Sequence, residues 1–310
     1  MAAVSGSSAV ARRLPSGLLS ALAEPARFRV LALVNAFLLW VILPSGGLVR
    51  LSGSGLGCPD WPTCNGGVVP ARNYHSVIEY TNRLVSAGVI VVSILAWVVA
   101  RHVAPRGAKI RGLALAAALM SVGQIPLGGI TVLSGLHPAM VGSHFVLSLA
   151  AVGAAVLLVL VTIDRQRGVS RAWDSRRGPF ATVTAAALLA VVTTGVFVTA
   201  AGPHSGDTKH MTRFGDLQTT AWLHVRAVGL LVVLMLVLAL WVRRERSSDP
   251  AVNRLVAWFL PLLALQIFIG EYQYRHGLPW QVIVGHVGVG GLVWCVGLAT
   301  AWCIARPTPR

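Results

Sequence analysis

This chain has very few negative charges. Only ten of its 310 residues are aspartate or glutamate, and charged residues of both signs make up 12% of the composition. A soluble domain of this length carries about twice that share of charge, so the composition excludes an ordinary soluble protein. The hydrophobic share is 55% and the mean hydropathy is +0.71, which is typical of a protein that lies largely inside a membrane.

Cysteine is also scarce, with four residues in the chain. Cys58 and Cys64 are separated by five residues, two of them proline, and lie between the first two hydrophobic stretches. This spacing can close a small disulfide ring if the segment faces an oxidising compartment. Cys295 and Cys303 fall inside the last hydrophobic stretch, where we expect ordinary buried apolar residues.

Long polar stretches are missing as well, so no soluble domain is expected. Eight apolar segments are each long enough to cross a hydrocarbon layer of about 30 Å. The expected fold class is therefore an all-α membrane protein with eight transmembrane helices. The expected spans are Phe28–Val49, Val77–Ala100, Leu113–Leu133, Met140–Ile163, Phe180–Ala201, Thr219–Val242, Val252–Gly270 and Val282–Ala305.

The formal net charge is +16, a value that suggests nucleic acid as a partner until the positions of the charges are considered. Most of the 26 basic residues fall in the two tails and in alternate connections, all on one side of an eight-span arrangement. Since basic residues beside membrane spans stay in the cytoplasm, we expect both termini on the cytoplasmic side of a plasma membrane and no nucleic-acid partner. The basic residues of that side are Arg12, Arg13, Arg27, Arg29, Arg101, Arg106, Lys109, Arg111, Arg165, Arg167, Arg171, Arg176, Arg177, Arg243, Arg244, Arg246, Arg254, Arg306 and Arg310.

The two halves of the chain resemble each other. Val-Gly-Ser-His144-Phe-Val matches Ile-Val-Gly-His286-Val-Gly, and each opens the last span of its half. The interval from Asn82 to His144 equals the interval from His224 to His286. Four spans per repeat give both halves the same orientation, so the repeat is parallel, about an axis along the membrane normal. Each half is expected to form a four-helix bundle.

The expected organisation has five parts. Residues 1–27 form a cytoplasmic tail rather than a cleaved signal peptide, because their apolar run is too short. Residues 28–165 form the first bundle and residues 179–305 form the second. A basic cytoplasmic linker over 166–178 joins the two bundles, and residues 306–310 form the last tail.

Two histidines lie at matching positions in the second half. His224 and His286 each fall about five residues, or ~7 Å, inside the outer end of a span, so they lie at similar depth. Two neutral imidazoles that face each other across a bundle can bind haem iron on both axial sides. The chain has no Cys-x-x-Cys-His motif, so such a haem would be held non-covalently. The alternatives are hydrogen-bonded core histidines and a zinc site, which would need more ligands.

The first half carries a different set of residues. His144 is the counterpart of His286. Asn82 stands where the second half has His224, and asparagine is a poor iron ligand. Glu79 lies one helical turn before Asn82, on roughly the same helix face. This asymmetry predicts an electron-transfer haem in the second half and a reactive site in the first.

Glu79 and Arg83 open a segment that is otherwise apolar. Ionisable side chains are costly inside a hydrophobic helix, so they indicate a functional site. The alternative is a structural ion pair between positions i and i+4, with the arginine extending toward the membrane interface.

Four motifs together resemble the haem A synthase family. They are Gly-Leu-Gly-Cys-Pro-Asp-Trp-Pro-Thr-Cys-Asn-Gly, Ile-Glu-Tyr-Thr-Asn-Arg-Leu, Gly-Gly-Ile-Thr-Val-Leu-Ser-Gly-Leu-His-Pro and Gly-Pro-His-Ser-Gly-Asp. The resemblance covers essentially all eight spans, and the composition looks actinobacterial. Members of this family are membrane oxidoreductases that oxidise the C8 methyl group of haem O, through an alcohol, to the formyl group of haem A for cytochrome oxidases.

The resemblance implies two haem sites near the outer face. A non-covalent haem b is expected between His224 and His286, and the substrate haem O, or its product haem A, at His144 and the position of Asn82. Arg83 is expected to assist at the substrate site, since a guanidinium suits the carboxylate geometry of a haem propionate.

The resemblance also implies that Glu79 is essential for catalysis and that Cys58 and Cys64 form a disulfide. The chain departs from the family motif at Asn82, where the motif has histidine, so ligation of the substrate haem by two histidines is not expected. Two explanations stay open at this point, a branch of the family without this ligand and an engineered substitution.

The competing interpretation is a non-enzymatic or quinone-linked di-haem membrane cytochrome, which would also need paired histidines. Glu79 and the cysteine-containing loop favour the enzyme. A transporter is a third class, but its polar residues would be expected at broken helices near the midplane. Beyond haem O and the lipid bilayer, the expected partners are a haem O synthase, an electron-transfer protein and a second copy of the chain in a homo-oligomer.

Overall fold

The computed structural model describes residues 17–103, 107–169, 172–204, 206, 213–244 and 250–306. Nine α-helices and no β-strand are found in these residues. The helices are α1 (Leu18–Leu22), α2 (Pro25–Leu51), α3 (Tyr74–Val103), α4 (Ala108–Leu133), α5 (Pro138–Gln166), α6 (Gly178–Ala201), α7 (Leu217–Arg244), α8 (Pro250–Arg275) and α9 (Trp280–Ala305). Parts of both tails, of the linker and of the loop before α7 lie outside the described residues, as do Arg12, Arg13, Arg106, Arg171, Arg246 and Arg310.

Helices α2 to α9 are long and apolar enough to cross a membrane, which gives eight candidate spans in the described part of the chain. The predicted class, an all-α membrane protein with eight spans, is confirmed. The helices begin earlier than the apolar segments do, for example at Tyr74 rather than Val77 and at Ala108 rather than Leu113. Helical hydrogen bonding continues through polar residues at the membrane interface, so hydropathy alone marks the helix ends too far inside.

Each half of the chain closes into a ring of four helices. In the first half, α2 contacts α3, α3 contacts α4, α4 contacts α5, and α5 returns to α2. In the second half, α6 to α9 contact one another in the same cyclic order. These neighbours are the ones expected for two four-helix bundles, while the parallel repeat and the cytoplasmic position of both termini stay predictions.

The two bundles meet through α2, α5, α6 and α9. Two tryptophans donate hydrogen bonds across this interface at 2.9 Å, Trp40 of α2 to the carbonyl of Gly288 and Trp294 of α9 to the carbonyl of Leu149. Gly291 allows the close approach, because a Cβ atom there would lie 3.0 Å from the Trp40 ring. In lipid, helices associate through such packing and hydrogen bonds rather than through the hydrophobic effect.

Each bundle has its own apolar core. Phe28, Ala96 and Leu158 are fully or almost fully buried in the first, and Leu231 and Phe259 are fully buried in the second. Leu231 lies at the middle of α7, and the first three lie toward the helix ends where the chain enters α2. The opposite end carries the loop over residues 52–73, between α2 and α3, and is called the loop end below. The histidines singled out from the sequence all lie in the half of their helices nearest the loop end.

The bond from Trp40 gives a test of the interface. Trp40→Phe keeps an aromatic ring but removes the N–H donor, so we expect the free energy of unfolding in detergent to fall by about 0.6–1 kcal/mol. Thermal unfolding followed by circular dichroism measures the change. The matched control is Trp258→Phe, because Trp258 is 73% exposed on the lipid-facing side of α8. Equal stability of the two variants would contradict the role assigned to this bond.

Candidate functional site

The loop at the loop end is closed by a disulfide. The sulfur atoms of Cys58 and Cys64 are joined at 1.97 Å, and both residues are buried. The pairing implied by the family resemblance is therefore confirmed. Cys295 is half-buried and Cys303 is buried, and neither is in a disulfide, as expected from their place in the last span.

Asp60 shapes the loop from within. Its carboxylate accepts hydrogen bonds from the Thr63 hydroxyl at 2.5 Å and from the backbone N–H groups of Asn65 and Gly66 at 2.6 Å. The bonds from Thr63 and Gly66 lower the pKa of Asp60 to about 2, so this carboxylate stays ionised at any physiological pH. The side chain of Asp60 therefore stabilises the turn that returns the chain to Cys64.

Glu79 lies in the second turn of α3 and is 5% exposed. Its Oε2 atom accepts a hydrogen bond from the backbone N–H of Cys58 at 2.8 Å. Its Oε1 atom accepts from Nη2 of Arg83 at 2.6 Å and from Nε at 3.2 Å. The structural ion pair that the sequence allowed as an alternative is therefore formed, and it includes the loop. A carboxylate oxygen has two lone pairs, so Oε2 retains one for a further proton or donor.

Arg83 binds the loop as well as Glu79. Its guanidinium donates to the carbonyl of Thr63 at 2.8 Å, to that of Cys58 at 3.0 Å and to that of Asp60 at 3.4 Å. Arg83 and Glu79, with these loop contacts, are called the Glu79–Arg83 clamp below. The sequence predicted the pair of Glu79 and Arg83 but not the loop carbonyl groups that Arg83 binds, since every residue type carries a main-chain carbonyl.

His224 of α7 is held by α6. The carbonyl of Val191 and the hydroxyl of Thr194 both lie 3.1 Å from its Nδ1 atom. A carbonyl can only accept, so Nδ1 carries the proton of the neutral ring and Nε2 keeps its lone pair for a ligand. Gly195 gives the ring room, since a Cβ atom there would lie 3.2 Å from Cε1 of His224.

His286 of α9 lies in the same bundle as His224 of α7. Its Nδ1 atom is buried and has no hydrogen-bond partner in the described part of the chain. A Cβ atom at Gly270 would lie 3.1 Å from its Cε1 atom, and Gln266 donates to its backbone carbonyl at 3.0 Å.

His144 of α5 has surroundings of the same kind in the first bundle. Its Nδ1 atom is buried and lacks a partner within the described ranges. A Cβ atom at Gly128 would lie 3.5 Å from its Cε1 atom, and Gln124 donates to its backbone carbonyl at 3.3 Å. A glutamine and a glycine on the preceding helix thus surround the last histidine of each half in the same way.

Asn82 of α3 is the counterpart of His224 in the first half of the chain. Its Oδ1 atom accepts a hydrogen bond from the hydroxyl of Ser45 on α2 at 2.8 Å, just as Thr194 contacts His224 in the other bundle. Neither hydroxyl group was predicted from the sequence. A Ser-Gly pair in α2 and a Thr-Gly pair in α6 were the signal that could have found them.

The donor sets fit haem better than a bare metal ion. Each of the three histidines packs against a glycine of the neighbouring helix, which lets the imidazole ring lie close to the backbone of that helix. Haem iron needs axial ligands alone, because its porphyrin supplies the others. Among the described residues, no group of three or more His, Cys, Asp or Glu residues could hold a metal ion. His144, Asn82 and Glu79 are called the first-half site below.

Comparison with known proteins agrees with the resemblance. The family model described as cytochrome oxidase assembly protein, COX15-CtaA, matches residues 29–77 and 72–298. A protein named heme A synthase from Bacillus pumilus (strain SAFR-032) is 30% identical over 146 residues, which cover 46% of this chain and 47% of that protein.

Two further relatives carry the same name. The one from Alkalihalophilus pseudofirmus is 32% identical over 158 residues, covering 49% of this chain and 52% of the relative. The one from Bacillus mycoides (strain KBAB4) is 33% identical over 152 residues, covering 47% of this chain and 46% of the relative. The chain spans about half the length of the curated relatives it matches.

The Glu79–Arg83 clamp predicts how well the loop disulfide is protected. Arg83→Gln removes several charge-assisted hydrogen bonds, each worth about 1.5–3 kcal/mol, so we expect the loop to open and the disulfide to be reduced at least about tenfold faster. Alkylation after timed exposure to a mild reductant, followed by intact-mass measurement, gives the rate.

The control is Arg275→Gln, which breaks the i,i+4 pair with Glu271 on the exposed surface of α8. Wild-type protein purified without reductant should show no free thiol at Cys58 or Cys64. Equal reduction rates in the two arginine variants would show that the clamp does not hold the loop.

Proposed function

This chain belongs to the COX15-CtaA family of cytochrome oxidase assembly proteins, and from that membership and the geometry of its two bundles we propose that it is a haem A synthase. In this proposal it oxidises the C8 methyl group of haem O, through an alcohol, to the formyl group of haem A for a terminal cytochrome oxidase. The observation that carries the proposal is that the two bundles hold different residues at equivalent positions. The second bundle has His224 and His286, whereas the first has Asn82 and His144, with Glu79 one turn before Asn82.

His224 and His286 are the proposed axial ligands of a non-covalent haem b. Supporting this, both histidines lie in the second bundle, and the hydrogen bond from Nδ1 of His224 to the carbonyl of Val191 leaves Nε2 available to bind a metal. Glycines on the neighbouring helices, Gly195 and Gly270, let both rings pack close to the helix backbone. A haem b held in this way supplies one-electron transfer.

The first-half site is the proposed site of the substrate. His144 is the candidate iron ligand on one side of haem O. Asn82, whose Oδ1 atom accepts a hydrogen bond from the hydroxyl of Ser45, would lie on the other side, either as a weak ligand or without binding the iron. Arg83 supports this site by holding the loop, since it donates to Glu79 and to loop carbonyls. A contact between Arg83 and a haem propionate stays a prediction.

Glu79 is the proposed proton acceptor. Oxidation of a methyl group removes protons as well as electrons, so a base is needed near the reacting edge. Arg83 balances the charge of Glu79 and the N–H of Cys58 orients it. The remaining lone pair of Oε2 is the atom-level candidate for accepting a proton.

The finer organisation follows as part of the proposal. Residues 28–165 handle the substrate and residues 179–305 hold haem b, joined by the linker over 166–178 and flanked by tails over 1–27 and 306–310. The chain lies in the plasma membrane with both termini in the cytoplasm and both haem sites near the outer face. A haem O synthase, an electron-transfer protein and a second copy of the chain are the proposed partners.

The competing function, a non-enzymatic or quinone-linked di-haem cytochrome, is not favoured. It needs a strong ligand pair in each bundle, whereas Asn82 leaves the first bundle with one histidine at the paired positions. A buried carboxylate beside that incomplete pair fits a reacting substrate better than a permanent redox centre.

The haem b assignment predicts a spectroscopic loss. Purified protein should show a low-spin spectrum with two imidazole ligands, and His224→Ala or His286→Ala should reduce haem b from about one per chain to almost none, because each removes one of only two axial ligands. Absorbance spectra and pigment extraction measure this. His102→Ala, at the far end of α3, is the control. Full low-spin haem b in both ligand variants would show that the assignment is wrong.

The assignment of Glu79 as the base predicts that a substitution there stops the reaction but leaves haem binding intact. Glutamine at position 79 can still accept from the N–H of Cys58 but is a very weak base. We therefore expect Glu79→Gln to keep haem b and haem O while haem A falls to a few per cent of wild type or less, a loss within the usual effect of a general base, about 10²–10⁴-fold.

Pigment extraction from cells that also produce the haem O-forming enzyme measures the yield. Glu271→Gln, which alters an exposed ion pair, is the matched control. A wild-type yield of haem A from Glu79→Gln would leave Glu79 only the role of holding Arg83 and the loop.

A further inference from the structure

The side chain of Trp61 crosses from the loop to α4. A Cβ atom at Gly129 of α4 would lie 2.7 Å from Cδ2 and 2.9 Å from Cε2 of the Trp61 indole. Carbon atoms that are not bonded to each other do not approach this closely. The backbone of α4 can therefore meet the ring here only because residue 129 is glycine.

Trp61 and His144 contact successive residues of α4. Gly128 faces Cε1 of His144, and the next residue, Gly129, faces the indole. Gly129 is buried, while Trp61 is 37% exposed. The indole therefore packs against α4 next to Gly128, the residue that contacts His144, and part of its surface is still available for contact.

The second bundle shows that haem binding does not explain the second glycine. Counting from the equivalent glutamines of α4 and α8, Gly128 corresponds to Gly270, which also packs beside a histidine. Gly129 corresponds to Glu271, an exposed residue paired with Arg275 at 2.5 Å. The second glycine thus occurs in the half that carries the loop, and its contact in that half is Trp61.

The loop holds the indole in place from both sides. Arg83 donates to the carbonyls of Asp60 and Thr63, which flank Trp61 in the chain. The disulfide fixes the two ends of the same segment. The loop is thus tied to α3 by its main chain and reaches α4 by the Trp61 side chain, so it bridges the two helices that carry Glu79 and Gly128.

We propose that Trp61 is a positioning residue of the first-half site, whose indole forms a wall between α3 and α4 that fixes how the substrate porphyrin lies there. This inference rests on the proposed function. Aromatic rings gain specific affinity by stacking or edge contact with other rings, and a porphyrin is a large aromatic surface. Because the same loop is hydrogen-bonded to Glu79, the Trp61 indole and the proposed base stay in fixed positions relative to each other.

The test compares haem O binding by four variants of the full-length protein carrying haem b. Trp61→Ala removes the wall and should weaken binding of haem O about tenfold, within the usual effect of an aromatic contact and its buried area. Trp61→Phe keeps an aromatic ring and should restore binding to within about twofold. Gly129→Ala pushes the indole away and should weaken binding to a similar extent.

The double variant Trp61→Ala with Gly129→Ala tests whether the effect of Gly129→Ala depends on the indole. If glycine matters because of the indole, Gly129→Ala should have no further effect once the indole is gone. Titration of purified protein with haem O, followed by absorbance, gives the affinities. The low-spin spectrum of haem b and the protection of the Cys58–Cys64 disulfide report whether the bundle and the loop stay folded. Trp258→Ala, which removes an exposed lipid-facing indole, is the matched control.

Weak haem O binding by Trp61→Ala with an intact disulfide and unchanged haem b, together with rescue by phenylalanine, supports the proposal. Wild-type affinity in Trp61→Ala overturns it. A disulfide that becomes easily reduced in Trp61→Ala, with no rescue by phenylalanine, also overturns it, because Trp61 is then only an anchor of the loop. Failure of the wild-type protein itself to bind haem O or form haem A overturns the proposed function and is recognised before any variant is compared.

Discussion

The ion pair between the buried Glu79 and the partly buried Arg83 is the interaction on which the loop end depends. Removing two charges from water is expensive, and such a pair is favourable only when further hydrogen bonds satisfy both partners. Here the loop provides those bonds, since the N–H of Cys58 reaches Glu79 and the carbonyl groups of Cys58 and Thr63 accept from Arg83. The pair and the loop therefore stabilise each other, and the proposed base owes its position to a segment closed by a disulfide.

The two bundles use the same supports for different ligands. A hydroxyl group on the first helix of each bundle contacts the residue at the ligand position of the second helix, Ser45 to Asn82 and Thr194 to His224. The first bundle therefore keeps the hydroxyl contact while it carries asparagine where the second bundle has histidine. In the proposed function, this is how one bundle keeps a haem permanently while the other holds a haem that must react and leave.

Hydropathy and the internal repeat were sufficient to predict the eight spans, because a lipid-facing helix must be apolar along its whole length. The repeat predicted that His144 and His286 are counterparts, and in the structure each packs beside a glycine of the preceding helix. Two features could not be predicted. The bonds from Arg83 go to main-chain carbonyls, and the contact between Trp61 and Gly129 joins residues that are distant in sequence, so both depend on the path of the loop rather than on residue types.

The central claim is that the two bundles hold different haems for different purposes, and His144→Ala tests it most directly. The variant and the wild type are purified from cells that produce haem O, and their pigments are extracted and compared. We predict that His144→Ala retains low-spin haem b at the wild-type level and loses bound haem O and haem A, since His144 belongs to the first bundle alone. Loss of haem b with haem O retained would contradict the division between the two bundles.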